Sequence, residues 1–537
     1  MNKLYYGDNL EILRKYIPDR SVDLIYLDPP FNSKKAYNVI FADKTGKMAS
    51  AQIQVFEDTW KWSDETQSAF EDIVEAKDVS IQLKEMILAF KSFMGTSQLM
   101  TYITMLAVRL VEAHRILKDT GSLYLHCDPA ASHYLKILLD QIFGIKNFRN
   151  EIIWERSHTR SSISKINRRA HDVILFYTKS NTYTYNIQYM PLSEASQKLY
   201  SKENDTGLYR TVPLLVSGKR TGVTGQPWRG IDPNTLGRNG MHWVTTLENL
   251  EEYNTKGLIY WASKGKKLPQ LKYYFKDNPG VPSNDIWYDI PYVQKTESIG
   301  YPTQKPLKLL ERIIAASSNP GDVVLDPFCG CGTAIVAAEK IGRNWMGIDI
   351  THLAIALIKK RLIDHFPGIA YEVVGEPKSA EDARELFLQS PFQFESWAVS
   401  LLGGHPYKSK GGGDSGIDGL LYFKDFQEKF HKIIIEVKGG GYHPKDIRSL
   451  ASVLQREEAP LGILIALQPP TPGMLAEAAA LGKWQMPGSN KKYPVLQLVT
   501  IAEILANIKL DLPDTSETLK KAIREIREIE KHPKLFE

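Results

Sequence analysis

Asp322-Val323-Val324-Leu325-Asp326-Pro327-Phe328-Cys329-Gly330-Cys331-Gly332-Thr333 is the run on which the fold of this chain turns. Its first half is apolar and β-branched, which reads as a buried strand. Its second half is a glycine loop, and the small and apolar residues from Ala334 to Ile341 predict a helix after it. Asn344-Trp345-Met346-Gly347-Ile348-Asp349 then predicts a further strand, ending in a carboxylate. Strand, glycine loop, helix, strand and acid form the arrangement that holds a nucleoside-bearing ligand in a doubly wound α/β sheet. Glycines let backbone approach the ligand, the helix N-terminus favours an anionic group, and the terminal acid accepts from ribose hydroxyls. The loop is Phe-x-Gly-x-Gly. It lacks the three-glycine spacing of a dinucleotide site and the Lys-Ser/Thr of a P-loop, which argues against a dinucleotide or ATP.

Near the start of the chain, Ser21-Val22-Asp23-Leu24-Ile25-Tyr26-Leu27 predicts another buried strand, and Asp28-Pro29-Pro30-Phe31 follows it. Two prolines fix φ and supply no N–H, leaving stiff backbone with free carbonyls beside a carboxylate. A carboxylate and a carbonyl can both accept from an exocyclic amine, and Phe31 offers a flat face to a planar ring. Taken alone, the same four residues describe a proline-rich turn. Gly7-Asp8-Asn9 also follows a short strand, Lys3 to Tyr6. Asp8 there either accepts from a ligand amine or caps the next helix. Lys118-Asp119-Thr120-Gly121-Ser122 reads as a turn, Leu123 to Cys127 as a strand, and Asp128-Pro129 as the opening of a helix.

The chain has 537 residues, too many for one core, and suggests two to four domains. No apolar run approaches the ~20 residues that a membrane-spanning helix needs. Met1-Asn2-Lys3-Leu4-Tyr5-Tyr6 shows no secretory pattern. The only cysteines, Cys127, Cys329 and Cys331, suit neither a disulfide framework nor a four-ligand zinc site, so a reducing, cytoplasmic setting is expected. The net charge of +5 permits nucleic acid without demanding it, but its distribution is uneven. Between Arg156 and Arg229 there are 12 Lys/Arg against 4 Asp/Glu, interleaved with Tyr177, Tyr183, Tyr185, Tyr189, Tyr200, Tyr209 and Trp228. Cations track phosphates and aromatics stack on bases, so this insert reads as a nucleic-acid surface.

Residues 1 to about 365 resemble the class β amino-methyltransferases of DNA. The resemblance rests on Asp28-Pro29-Pro30-Phe31 first, the basic insert next, and Phe328-Cys329-Gly330-Cys331-Gly332 last, a permutation of the usual motif order. Gly7-Asp8-Asn9-Leu10, Thr120 to His126 with Asp128, and Thr303-Gln304-Lys305-Pro306 extend it. It implies a Rossmann-like sheet dependent on S-adenosylmethionine, acting on double-stranded DNA and allowing a homodimer. It assigns catalysis to Asp28, Pro29, Pro30 and Phe31. It also places Asp349 on the cofactor's ribose, Asp8 on its adenine amine, and Phe328, Gly330 and Gly332 along the cofactor loop. Asp326 and Lys305 would serve the methionine amine and carboxylate. An Asp opening the catalytic motif, where cytosine-N4 enzymes usually have Ser, points to adenine N6.

The C-terminal part predicts a second α/β unit. A helix carries Phe394, Glu395 and Trp397, and a glycine-rich loop runs from Lys410 to Gly416. Ile417 to Phe423 and His431 to Lys438 then form a predicted hairpin. Alternation puts Glu436 and Lys438 on one face with Asp418 able to lie opposite. Two carboxylates for a hard cation beside a lysine make a phosphodiester-hydrolysis site, although a surface salt bridge uses the same residues. With the helix, strand and helix that follow, this region resembles the Mrr-type branch of the PD-(D/E)XK nucleases. The resemblance implies Mg²⁺ held by Asp418 and Glu436, with Lys438 catalytic, or a decayed module that only binds DNA. The expected organisation is a methyltransferase domain over 1–155 and 290–365 and a target-recognition insert over 156–289. A linker over 366–385, a restriction-endonuclease-like α/β domain over 386–505 and a helical tail over 506–537 complete it. A methylation-sensing DNA-binding protein with two inert sites is the non-enzymatic alternative.

Overall fold

A computed structural model describes residues 2–30, 62–77, 79–156, 170–261, 268–294, 296–299, 301, 303–407, 416–427 and 429–515. Phe31, most of the Lys410–Gly416 loop and the greater part of the expected tail lie outside the described residues.

The first sheet has nine strands. In chain order these are β1 (Asn2–Tyr6), β2 (Val22–Leu27), β3 (Leu117–Cys127), β4 (Phe148–Glu155) and β5 (His171–Thr178), then β6 (Ile286–Trp287), β7 (Val323–Asp326), β8 (Asn344–Asp349) and β9 (Tyr371–Val374). Their spatial order is β6-β4-β5-β3-β2-β7-β8-β1-β9. From β3 to β9 every neighbouring pair is parallel. Only β5 runs antiparallel, to both β3 and β4. A parallel sheet is covered on both faces, and its central strands are accordingly mostly apolar. Leu24, Ile25, Val324 and Leu325 are all buried.

Two cores flank the sheet. One packs α1 (Asn9–Tyr16), α2 (Gln98–Ile116) and α3 (Ser132–Phe143) around Ile12, Leu106 and Leu138. The other packs α4 (Leu307–Ser317), α5 (Thr333–Lys340) and α6 (His352–His365) around Ile313, Val324 and Trp345.

Three sequence expectations are corrected here. Lys118 to Ser122 is not a turn but lies within β3. Val22 pairs with Leu117 and Leu24 with Ser122, so Lys118 to Gly121 bulge out opposite Asp23. The Lys118 ammonium bonds that carboxylate at 2.7 Å. Residues 366–385 are not simply a linker, because Tyr371-Glu372-Val373-Val374 pairs in parallel with β1 at the sheet edge. The basic segment from Arg156 includes β5, which is part of the main sheet. A compact unit of its own spans Ile187–Asn284.

That unit holds a four-stranded antiparallel sheet built from Ile259–Tyr260, Gln270–Tyr274, Gly207–Pro213 and Lys202–Asn204. Trp228, Trp243, Leu214, Leu215 and Leu250 form its core. The Lys202 ammonium lies over the Tyr260 ring at 3.8 Å. A cleft of about 680 Å³ is lined by Lys219, Arg220, Gly222, Gln226 and Asn234, among others.

After β9 come α7 (Ala380–Gln389) and α8 (Pro391–Leu401), then a second, five-stranded sheet. Its strands lie in chain order as β10 (His405–Pro406), β11 (Gly419–Lys424), β12 (Phe430–Lys438), β13 (Leu461–Ala466) and β14 (Leu496–Thr500). Helices α9 (Pro444–Arg456) and α10 (Pro472–Ala480) provide its crossovers. Helix α6 packs on α8. The His352 ring stacks on Tyr6 at 3.6 Å and stands 6.2 Å from Trp397. Neither ring nitrogen has a hydrogen-bond partner among the described residues. Burial drives the pKa of this histidine down to about 3, so the ring is neutral.

Candidate active sites

The sheet itself gathers the first site. β2, β7, β8 and β1 are consecutive parallel neighbours. Leu325 pairs with Ile25, Asp326 with Gly347, and Tyr6 with Asp349. The loops leaving these four carboxyl ends carry Asp28, Phe328 to Gly332, Asp349 and Asp8 side by side, where ligands bind in open α/β sheets.

Within the glycine loop, Gly330 has φ +48° and Gly332 φ +74°, a region that favours glycine. A Cβ on Gly332 would also stand 2.7 Å from Ile358 Cγ1. The Asp349 carboxylate ties this loop to the next one. It accepts from the Gly330 N–H at 2.9 Å, and from the Thr351 N–H at 2.9 Å and hydroxyl at 2.8 Å. Burial raises its pKa to about 6 against the lowering effect of those donors. Burial pushes the Asp326 carboxyl well above the usual range, the Phe328 N–H pulls it back, and the charges of Asp28 and Asp349 push it further up. Tyr301 closes over the loop: its ring lies about 3.4 Å from where a Gly330 Cβ would stand.

Lys305 and Asp8 have partners that differ from their expected ligand roles. The Lys305 ammonium bonds Asp28 Oδ2 at 2.5 Å. Burial lowers the pKa of this lysine, but the Asp28 and Asp172 carboxylates more than offset it and hold the pKa above the ordinary value. Asp8 caps α1, with Oδ1 accepting from the Leu10 N–H at 2.8 Å. Its Oδ2 takes Arg109 at 2.8 Å. The Pro29 and Pro30 backbone continues from β2 beside Asp28. Beneath this motif runs a buried relay that the sequence reading did not single out. The Tyr26 hydroxyl meets His126 Nδ1 at 2.9 Å, His126 Nε2 meets Asp172 at 3.2 Å, and Arg156 meets Asp172 at 3.1 Å. Burial works against the Asp172 charge, yet His126, Arg156 and Lys305 hold its carboxyl below the usual range.

This arrangement fits a nucleoside with an ammonium-bearing chain. One carboxylate borders the glycine loop, a second lies buried at the end of the adjoining strand, and a third follows the next strand with a fixed cation at its side.

The second site lies where β11 enters its hairpin with β12. The Asp418 N–H donates to Ile435 O at 2.9 Å, and Asp418 Oδ2 accepts from the Val437 N–H at 2.6 Å. That places Asp418 against Glu436. Lys438 pairs with Glu436 Oε1 at 2.8 Å. Glu436 is 5% exposed, and its Oε2 has no hydrogen-bond partner among the described residues. Burial raises its pKa, Lys438 lowers it, and Asp418 and Asp446 raise it further. Burial lowers the Lys438 pKa, but Glu436, Asp418 and Asp446 more than offset this and leave it above its ordinary value. Among the described residues no three His, Cys, Asp or Glu side chains are grouped to hold a metal. Two carboxylates with an unsatisfied, buried oxygen still fit Mg²⁺, which keeps several of its waters. Glu395 lies on α8.

Comparison with known proteins adds the following. Residues 22–360 match the family model described as DNA methylase, and residues 388–503 match that of a restriction endonuclease. The type II methyltransferase M.EcaI of Enterobacter cloacae is 35% identical over 263 residues, covering 48% of this chain and 57% of that protein. The DNA adenine methyltransferase YhdJ of Escherichia coli K12 is 26% identical over 362 residues, covering 67% of this chain and 82% of that protein. The protein TTHA0409 of Thermus thermophilus, solved with S-adenosyl-L-methionine, superposes with a TM-score of 0.33 at 18% identity. The superposition covers 70% of this chain and 99% of that one. The chain spans between half and three fifths of the length of the first curated relatives it matches. No described helix is long and apolar enough to cross a membrane.

Proposed function

The chain belongs to the DNA methylase family, and from that premise we propose that it methylates N6 of a flipped adenine in double-stranded DNA with S-adenosylmethionine as donor. The observation that carries this reading is the convergence of Asp28, the Phe328–Gly332 loop, Asp349 and Asp8 on four neighbouring strand ends. An adenine inside the duplex is out of reach, so it must leave the stack at a cost of a few kcal/mol. Lys305 engages one oxygen of Asp28, leaving the other to accept an N6 hydrogen. The Pro29 carbonyl accepts the second hydrogen, and both bonds concentrate electron density on nitrogen. Phe31, from its place in the motif, stacks on the ring. When bound, S-adenosylmethionine supplies an electrophilic methyl group on a sulfonium. Asp349 would accept from its ribose hydroxyls, Asp326 would serve its ammonium, and the glycine loop would line its methionine chain. Positioning and charge therefore carry the rate.

Adenine is preferred over cytosine because the motif opens with Asp28, and because the relative YhdJ is named an adenine methyltransferase. Digestion of DNA methylated by the protein, with separation of the nucleosides, tests this. N6-methyladenine is the expected product, and N4-methylcytosine alone overturns the assignment. The insert, residues 156–289 with the compact unit Ile187–Asn284, supplies the DNA-reading surface through its excess of Lys and Arg and their stacking on tyrosines. The C-terminal module adds Mg²⁺-dependent DNA cleavage through Asp418, Glu436 and Lys438, making the whole a restriction–modification protein.

The state of Asp349 gives a pH test. Ribose hydroxyls bond the anion better than the acid, and the carboxyl of the free protein titrates near 6. Below that pH the site must shed a proton to bind, and above it no such cost exists. S-adenosylmethionine affinity is therefore expected to rise from pH 5 to pH 7 and then level off. Calorimetry at each pH measures it, and Asp349→Asn should flatten the profile. An equal slope in wild type and variant removes Asp349 from the ribose.

A further inference from the structure

Arg109 lies on α2, outside every motif named above, and is 7% exposed. Its guanidinium makes three directed bonds. Nη2 donates to Asp8 Oδ2 at 2.8 Å, Nε donates to Asn9 Oδ1 at 2.5 Å, and Nη1 donates to Met105 O at 2.9 Å, one turn back on its own helix. Asn9 in turn donates its amide to the Pro327 carbonyl at 2.8 Å, one residue before Phe328. Two loops that leave different strands, the one after β1 and the one after β7, are thus joined through a single buried cation. A planar fork held on three sides has almost no freedom, unlike an ammonium on a flexible stem.

We infer that Arg109 is a positioning residue for the methyl donor, fixing the Phe328–Gly332 loop at its working distance from Asp8 through Asn9. The inference rests on the S-adenosylmethionine reading of this site and extends it to a residue that no motif covers. It differs from a simple brace in its consequence. A brace would lower stability, DNA binding and turnover together. A positioning residue lowers affinity for one ligand and leaves the chemical step intact once that ligand is saturating.

The test compares Arg109→Lys, Asn9→Asp and the double variant in the full chain. Lysine keeps the charge but cannot serve Asp8 and Asn9 at once. Asp at position 9 keeps the acceptor for Arg109 and loses the donor to Pro327. Each single variant should weaken S-adenosylmethionine binding by roughly tenfold or more. Turnover at saturating donor should stay within about threefold, with affinity for duplex DNA unchanged. The double variant should bind no worse than the weaker single, because both changes cut one linkage. Additive losses, unchanged donor affinity, or a proportional fall in melting temperature, DNA binding and turnover would each overturn the inference. If Arg109→Lys does not fold, Asn9→Asp alone decides: wild-type donor affinity in that variant overturns the linkage. Failure of the wild-type chain to bind S-adenosylmethionine at all would instead overturn the functional reading on which the inference stands.

Discussion

Asp28→Ala is expected to abolish methyl transfer to DNA, by at least about a hundredfold in kcat, while S-adenosylmethionine binding stays close to wild type. The expectation follows from where Asp28 stands. Its carboxylate follows the end of β2, whereas the donor's proposed contacts come from β7, β8 and β1. Alanine removes the acceptor for the N6 hydrogen and leaves the neighbouring loops untouched. It also takes from Lys305, whose side chain is 10% exposed, the carboxylate it touches. Removing one partner of a buried ion pair costs on the order of 3–5 kcal/mol. Loss of activity in Asp28→Ala could therefore be confused with loss of fold. The pair Asp28→Ala with Lys305→Met separates the two. Removing both charges should restore the melting temperature and still leave no transfer in a tritiated-methyl assay. Turnover retained by the double variant would take Asp28 out of the chemistry.

The residues most legible in the sequence were those whose local pattern and tertiary role coincide. Val323 to Asp326, Gly330, Gly332 and Asp349 announce strand, loop, helix and acid because each step has its own signature: β-branching, positive φ, a buried carboxylate. Asp28 could be read for the same reason, as an acid and two prolines at the end of an apolar run. What the sequence hid were partners. Lys118-Asp119-Thr120-Gly121-Ser122 has the composition of a turn, yet pairing on both sides draws it into β3 as a bulge held by Asp23. Tyr371 to Val374 is too short to announce a strand until β1 offers an edge. The motif around Lys305 points to a ligand carboxylate, and within the protein its ammonium pairs with the Asp28 carboxylate. Arg109 carried a signal that went unused. It is the first charged residue after Lys91 and is flanked by the apolar residues Met105 to Val108 and Leu110-Val111, which is how a buried and therefore paired cation looks in a sequence. Nothing in the sequence could have named Asp8 and Asn9 as its partners, since that depends on α2 lying against the start of α1.

Glu436→Gln carries the second large effect, on the C-terminal module. Oε2 of Glu436 is buried and unpartnered among the described residues, with Asp418 immediately before the facing strand. An unsatisfied buried carboxylate oxygen costs stability unless something cationic completes it. Lys438 completes only the other oxygen. Mg²⁺ held between Glu436 and Asp418 would remove that cost and polarise a phosphodiester brought beside Lys438. Two results are therefore expected together. Mg²⁺ should raise the melting temperature of the wild-type chain but not of Glu436→Gln, because only a deprotonated carboxylate pair binds it. Metal-dependent cleavage of DNA should fall by at least about a thousandfold in Glu436→Gln and in Lys438→Ala, while methyl transfer stays at wild-type rate. The sign of the pH dependence follows as well. Burial raises the Glu436 pKa, so bound metal competes with a proton and the thermal shift should grow as pH rises from 5 to 8. A wild-type chain that shows neither a Mg²⁺-induced shift nor nicking of any DNA, methylated or not, would reduce this module to a DNA-binding one. Shifts of equal size in wild type and Glu436→Gln would move the metal away from this pair of strands.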